Sequence, residues 1–266
     1  MRHQRPPPPD AAIRATEGIS GIGIDVAGSP HMITRILCLL PVRNGAEHLQ
    51  AYFDNVRRFA SGIVALDDGS TDQTLDLLRR EALVLQVLRN PRRWSCAGWN
   101  DAENRQRLLD ASAVHAPDWI VWLDADELIA EPDLPLLRTL ISEIANPGHA
   151  YAFEVLRMIG DLAHFDQHRL WVYRMFGFRA GQRLPAARLH FQPIPDDISR
   201  EHMHRTIIRI LHKGGMTPQA RRARFLKYRE ADPGKLWQAT YANLLAGPGH
   251  LWSLRAHPKD ADIVIE

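Results

Sequence analysis

The sequence predicts an α/β fold whose central sheet is mostly parallel, mixed at one side and flanked by helices. Through the first half of the chain, short apolar runs of strand length alternate with segments whose apolar residues recur at helical spacing. Such alternation is typical of strand–helix–strand units with parallel strands. After residue 150 the apolar runs follow one another without helical patterns, which predicts that the sheet continues with mixed directions.

Four strand patterns precede residue 150, and each is followed by a helical pattern. The predicted strands span residues 36–40, 62–66, 83–88 and 119–123. Their continuous apolar character indicates strands that are buried on both faces. The helical patterns lie at residues 46–60, after the turn at 69–72, at 97–113 and at 133–145. The last two follow the third and fourth strands.

The second half of the chain is less regular. Further strands are predicted at residues 152–158, 170–176 and 207–211, and an Arg-rich helix at 217–231. Four consecutive prolines favour an extended chain near the N-terminus. We therefore divide the chain into a flexible extension (1–31), a core domain (32–215) and a helical or irregular C-terminal segment (216–266).

Composition excludes several classes of protein. Of the 266 residues, 45% are hydrophobic and 24% charged, as in soluble globular proteins, and two cysteines exclude a disulfide framework. No apolar run approaches the ~20 residues of a membrane span. A net charge of +2 argues against a nucleic-acid partner. We expect a cytoplasmic protein, with a peripheral position at a membrane as the alternative.

The two halves differ in charge. Residues 32–150 carry 12 basic and 17 acidic side chains, whereas residues 151–266 carry 18 basic and 11 acidic ones. We expect the basic half to face phosphate or an acceptor, because Arg and Lys are the side chains that pair with phosphate.

Two acidic clusters follow predicted strands directly. Asp124 and Asp126 flank one alanine after the fourth strand, and such a carboxylate pair can share a divalent cation. Asp67 and Asp68 follow the second strand, where they can accept hydrogen bonds from a base or a ribose. The alternatives are an acidic turn for the first cluster and helix capping for the second. Ligands bind at the carboxyl ends of parallel strands, which favours a functional role for both.

Three segments together resemble family-2 glycosyltransferases. They are LLPVRNG at 39–45, ALDDGSTD at 65–72 and DWIVWLDADE at 118–127. Their order and their separations of roughly 25 and 55 residues are similar to that family over residues 34 to about 130. The resemblance implies a GT-A fold, with a Rossmann-like sheet, and a hexosyltransferase-like activity.

The resemblance also implies a nucleoside-diphosphate sugar donor, linked to UDP or GDP, and a hydroxyl acceptor. The acceptor is a saccharide, a lipid-linked molecule or a small molecule. Asp67 would contact uracil or ribose, and Asp124 would contact ribose or sugar. The full set expected to bind the donor is Pro41, Arg43, Asn44, Asp67, Asp68, Arg105 and Asp124.

A metal site follows from the same resemblance. Asp126, with Asp124 beside it, would ligate Mn²⁺ or Mg²⁺, and His212 would complete the site from the carboxyl side of the chain. The metal would stabilise the leaving diphosphate by neutralising its charge.

The acceptor side is less clearly marked. Members of the family are mostly inverting, so a carboxylate should deprotonate the acceptor hydroxyl. The family's usual acidic pair after a Gly-rich strand is not evident here. Asp161, Asp166 and Glu154 lie in the region that should cover the acceptor, and Asp166 is the preferred base.

Two other functions remain open. A non-catalytic module that binds nucleotide sugars would account for the missing acidic pair. A sugar nucleotidyltransferase should carry a basic, Gly-rich loop after the first strand, and the segment PVRNGAEH at 41–48 is too short and too poor in glycine for that loop.

Overall fold

The structure is a computed structural model that describes residues 34–167, 170–258 and 261–265. The predicted N-terminal extension lies outside the described residues. From residue 34 onwards the chain forms one compact unit, and this unit includes the segment after residue 215 that we separated from the core. Within the described ranges, no helix has the length and apolar character needed to cross a membrane.

The described part of the chain contains ten strands and five α-helices. The strands are β1 (Ile36–Val42), β2 (Gly62–Asp67), β3 (Val84–Arg89), β4 (Trp119–Trp122), β5 (Glu127–Ile129), β6 (Ala150–Met158), β7 (His164–Gln167), β8 (Trp171–Gly177), β9 (Met203–His212) and β10 (Trp252–Ser253). The helices are α1 (Ala46–Val56), α2 (Thr74–Arg80), α3 (Asp101–Ser112), α4 (Leu134–Thr139) and α5 (Pro218–Ala231).

One half of the sheet is parallel and the other half is mixed. Strands β3, β2, β1 and β4 lie side by side in that order, and all their pairings are parallel. The sheet then continues antiparallel from β4 to β8 and β6, and β9 pairs parallel with β6 and antiparallel with β5. The predicted α/β class is therefore confirmed.

Helices cover both faces of the parallel half. On β1, Cys38 and Leu40 pack into the apolar core that contains Leu49 of α1. Leu37 and Leu39 point to the opposite face, into the core shared with α3. Because α1 and α3 lie on opposite faces, β1 and β4 are neighbours at the point where the chain reverses its direction of winding. Open α/β sheets bind their ligands at this point.

Besides α1, which ends at Val56 instead of residue 60, two predicted helices are shorter in the structure. Helix α3 begins at Asp101 because the side chain of Asn100 caps it, accepting a hydrogen bond from the backbone N–H of Glu103 at 3.2 Å. The helix predicted at 133–145 is α4 followed by a single π-helical turn over Leu140–Ile144. Neither difference moves the ends of the parallel strands.

A buried ion pair connects β9 to the turn before α4. Arg209 donates from Nε and from its backbone N–H to Asp133 Oδ2, both at 2.8 Å, and from Nη2 to Oδ1 at 2.5 Å. The remaining Nη1 donates to the carbonyl of Arg255 at 2.6 Å. Arg209 interrupts an apolar run in the sequence because this network satisfies its charge inside the core.

Candidate functional site

A cavity of about 340 Å³ opens at the carboxyl ends of β1 and β4. We call its sheet side the strand wall; it includes Pro41, Arg43, Asn44, Asp68, Asp124, Asp126 and His212. We call its opposite side, formed by α5, the helix wall; it consists of Ala220, Ala223, Arg224, Lys227 and Tyr228. The fold therefore brings together most of the residues that the sequence suggested.

The loop after β1 is tied to the loop after β2. Asn44 has a φ of 50°, a left-handed conformation that Asn tolerates better than most residues. Its backbone N–H donates to Ser70 Oγ at 2.9 Å, and its side-chain oxygen accepts from the backbone N–H of Thr71 at 2.8 Å. The Asn44 side-chain oxygen thus supports the rim of the cavity.

Of the two acids after β2, Asp68 lies on the cavity wall and Asp67 does not. Asp67 is 3% exposed, and its Oδ1 accepts the backbone N–H of Ser70 at 3.0 Å, so it holds the turn. Asp68 accepts a hydrogen bond from Asn90 Nδ2 at 2.6 Å and pairs with Arg93. Asp67 therefore does not line the cavity, and its contact with a base or ribose stays a prediction.

Asp124 lies between two guanidinium groups. Arg105 Nη2 donates to Asp124 Oδ1 at 2.8 Å, and Arg174 Nη2 lies 3.8 Å from Oδ2. Desolvation alone would raise the pKa of Asp124, but the two guanidinium groups outweigh it and hold this pKa well below its usual range. Arg105 is only 6% exposed, and it also donates to Asp101 from Nε at 2.9 Å, which fixes its position. Asp124 is thus a fixed, ionised acceptor.

Asp126 and His212 face each other across a small space. The distance from His212 Nε2 to Asp126 Oδ2 is 3.4 Å. Burial lowers the pKa of His212 to about 4, so its imidazole is neutral near pH 7. A Cβ on Gly214 would lie 2.5 Å from Asp126 Oδ2 and 2.9 Å from His212 Cε1, so glycine keeps this space open.

These two side chains fit a divalent cation. Carboxylate oxygen and neutral imidazole nitrogen both bind Mn²⁺, and a hard cation with few protein ligands completes its shell with water and phosphate oxygens. Asp124, by contrast, directs its oxygens at Arg105 and Arg174. Across the described residues, no group of three or more His, Cys, Asp or Glu side chains could hold a metal ion.

Asp161 and Asp166, two of the acids expected to cover the acceptor, lie elsewhere. Neither lines the cavity. The carboxylate of Asp166 is buried and accepts two hydrogen bonds from Arg157, at 2.7 and 2.5 Å. Asp161 is exposed and accepts the backbone N–H of His164 at 2.9 Å. Both carboxylates are engaged by the protein away from the cavity, and a role for either as the base stays a prediction.

The sequence suggested that the basic cluster Arg221, Arg222 and Arg224 could meet a phosphate, an anionic lipid or an acidic acceptor, with an exposed basic helix face as the alternative; of these three residues, Arg224 lines the cavity. The residues of the helix wall recur at intervals of three or four along α5, so they share one face of the helix. That spacing was visible in the sequence, but nothing local indicates which side of an Arg-rich helix faces a cavity. Glu47, His48 and Trp99 also line the cavity without a prior indication.

Solved structures with some similarity include the following three. A mannosyltransferase from Pyrobaculum calidifontis, in complex with GDP-Man and Mn²⁺, is 24% identical over 51% of this chain and 38% of its own, with a TM-score of 0.34. S. aureus TarS (1–349) is 13% identical over 80% of this chain and 70% of its own, with a TM-score of 0.44. Glucosyl-3-phosphoglycerate synthase from Mycobacterium tuberculosis, in complex with Mn²⁺ and UDP, is 20% identical over 47% of this chain and 44% of its own, with a TM-score of 0.32.

Curated relatives cover a smaller part of the chain. Two uncharacterised proteins, from Mycobacterium bovis and Mycobacterium tuberculosis, are each 32% identical over 111 residues. The match covers 40% of this chain and 26% of each relative, so the chain spans about a quarter of the length of these relatives.

A family model extends further along the chain than either relative. The model described as Glycosyl transferase family 2 matches residues 38–194, which is more than half of the 266 residues. This match agrees with the parallel-to-mixed sheet and confirms the predicted GT-A fold. By this match, the chain belongs to glycosyl transferase family 2.

Proposed function

We propose that this protein transfers a sugar from a nucleoside-diphosphate sugar, linked to UDP or GDP, to a hydroxyl acceptor, with inversion and with Mn²⁺ or Mg²⁺. One observation carries the proposal: a single cavity at the β1–β4 switch point contains an ionised Asp124 and, beside it, Asp126 facing a neutral His212. The departure of an anionic group requires positive charge fixed beside it, and a cation held by Asp126 and His212 would supply that charge.

The donor would lie along the strand wall. Asp68, directly after β2, lines the cavity and would contact a base or ribose, whereas Asp67 holds the turn beneath it. Asp124, held by Arg105, would accept a hydrogen bond from a hydroxyl of the ribose or of the sugar. Because these acids are fixed before the ligand arrives, binding would cost little reorganisation.

Asp126 and His212 would hold the metal ion. When bound, Mn²⁺ or Mg²⁺ neutralises the charge that develops on the leaving diphosphate. The low pKa of His212 supports this role, because a protonated imidazole offers no lone pair to a cation.

The proposal is tested with purified protein and a panel of UDP- and GDP-sugars, with Mn²⁺, Mg²⁺ or EDTA. We expect one donor to raise the unfolding temperature and to be hydrolysed slowly, both dependent on metal. Asp126→Asn should lower hydrolysis about 100-fold or more, whereas Asp54→Asn, on the exposed side of α1, should not change it. The configuration of the released sugar, followed by NMR, tests inversion.

Two results would contradict the proposal. If no nucleotide sugar binds with either metal, the chain does not use this donor class. If a nucleotide sugar binds but is neither hydrolysed nor transferred to any alcohol, the chain is a binding module.

A further inference from the structure

The helix wall lies outside the part of the chain that the family model matches. The match ends at residue 194, whereas α5 spans Pro218–Ala231. Two cationic side chains of this wall, Arg224 and Lys227, line the cavity opposite the acids of the strand wall. Family membership therefore assigns them no role, and their surroundings must be considered directly.

The cations of the strand wall are already engaged by the protein. Arg93 pairs with Asp68, and Arg105 pairs with both Asp101 and Asp124. Arg43 donates from Nη1 to Cys96 Sγ at 2.8 Å and from Nη2 to the carbonyl of Arg93. All three guanidinium groups are therefore engaged by the protein, although Arg43 Nε and Arg105 Nη1 are buried without a hydrogen-bond partner.

The cations of the helix wall have no such partner. Within the described ranges, neither Arg224 nor Lys227 has a carboxylate within the 4.0 Å of an ion pair. Arg224 Nη1 lies 3.2 Å from His212 Nε2, and Lys227 Nζ lies 4.2 Å from the centre of the Trp99 ring. Both charges are thus held at the cavity by neutral rings, an arrangement that leaves them free to pair with an anion.

The acids of the cavity make such cations necessary for an anionic ligand. A diphosphate placed near Asp124 and Asp126 would be repelled by both carboxylates. A divalent cation held by Asp126 and His212 would offset part of the charge of the diphosphate. Positive charge on the opposite side would have to come from the helix wall, where Arg and Lys are suited to phosphate oxygens.

We propose that Arg224 and Lys227 bind the diphosphate of the donor and hold it as it leaves. This inference rests on the proposed function. In the transfer step the bond between the anomeric carbon and the diphosphate oxygen breaks, and its electron pair leaves with that oxygen. The acceptor oxygen forms the new bond to the anomeric carbon and loses its proton to solvent or a base. The two side chains stabilise the added negative charge on the departing diphosphate.

The test compares ligands that differ only in phosphate. Binding of nucleoside, nucleoside monophosphate and nucleoside diphosphate, in the uridine and guanosine series, is measured calorimetrically with and without Mn²⁺. The variants are Arg224→Gln, Lys227→Gln and both together. Arg222→Gln is the matched control, because Arg222 is exposed on the same helix and does not line the cavity.

We expect each single variant to weaken binding of the diphosphate about 10-fold and the double variant about 100-fold, as for charge-assisted hydrogen bonds. Binding of the nucleoside should change less than about 2-fold, and Arg222→Gln should behave as the unaltered protein. Thermal unfolding of each variant checks that the fold is retained.

Three outcomes separate this inference from the proposed function. If the unaltered protein binds the diphosphate and the variants bind it equally well, the inference is wrong and the proposed function stands. If nucleoside binding falls as much as diphosphate binding, the two side chains are structural and the inference is again wrong. If the unaltered protein binds no nucleoside diphosphate and no nucleotide sugar, the proposed function itself fails.

Discussion

The strand wall and the helix wall of the cavity both carry charge, but they hold it differently. On the strand wall, Asp68 and Asp124 are paired with Arg93 and Arg105. On the helix wall, Arg224 and Lys227 contact rings, and within the described residues neither forms an ion pair with a carboxylate, although both lie near enough to Asp126 to act on its charge. Paired charge keeps a site in shape, whereas unpaired charge is available to a ligand. The first wall should therefore be sensitive to substitution in stability and the second in binding.

The largest effect is expected from Arg174, which supports the strand wall from behind. Its Nη2 donates to Glu127 Oε1 at 2.5 Å, and Glu127 is only 2% exposed. Arg174→Met would leave this carboxylate buried without its partner, at a cost of about 3–5 kcal/mol in the free energy of unfolding. Urea denaturation measures the loss. A loss below about 1 kcal/mol would mean that the wall does not depend on this pair.

Gly214→Ala should act on the metal site. Its Cβ would occupy the space between Asp126 Oδ2 and His212 Cε1, so we expect Mn²⁺ affinity to fall about 10- to 100-fold. The Mn²⁺ affinity is measured by titration with Mn²⁺ that is monitored by electron paramagnetic resonance. Gly148→Ala is the control, since a Cβ there meets nothing within 4 Å. Unchanged affinity in Gly214→Ala would place the metal elsewhere.

Asp166→Asn distinguishes a structural acid from a base. Because Asp166 is paired with Arg157 away from the cavity, we expect a loss of about 1–2 kcal/mol in the free energy of unfolding. Transfer or donor hydrolysis should stay within about 2-fold of the unaltered rate. Parallel unfolding and turnover measurements check both. A fall of about 100-fold in turnover at unchanged stability would identify Asp166 as the base.

The smallest effect on stability is expected on the helix wall. Lys227 is exposed, and its contact with the Trp99 ring is worth about 0.5–1 kcal/mol. Lys227→Gln should therefore change the free energy of unfolding by less than about 1 kcal/mol, measured by urea denaturation. A loss comparable with that of Arg174→Met would remove the contrast between the two walls.

The parallel half of the sheet could be predicted because its signals are local. Buried strands appear as continuous apolar runs, and the acids that follow them are placed by the ends of those strands. Asp67 and Asp68 show where this reasoning stops. Successive side chains near a strand end point in different directions, so an error of one residue moves the candidate off the cavity wall.

Contacts between distant segments could not be predicted from local sequence patterns. Arg209 pairs with Asp133, 76 positions away, and no local pattern marks either residue as the partner of the other. The same is true of Arg224 and His212, which belong to different elements and meet only because β9 leads into α5. The mixed half was predicted as strands, but its contribution to the site depended on such contacts.

The return of the last residues to the sheet has a consequence for building hybrid enzymes. Thr206 of β9 forms a bridge with Val264, and the carbonyl of Arg255 accepts from Arg209. A fragment exchanged between relatives at residue 215 would bring one wall of the cavity from each parent, and an exchange at residue 194 would also separate His212 from the rest of the strand wall. A hybrid that keeps both walls from one parent has to carry residues 34–265 as a single cassette.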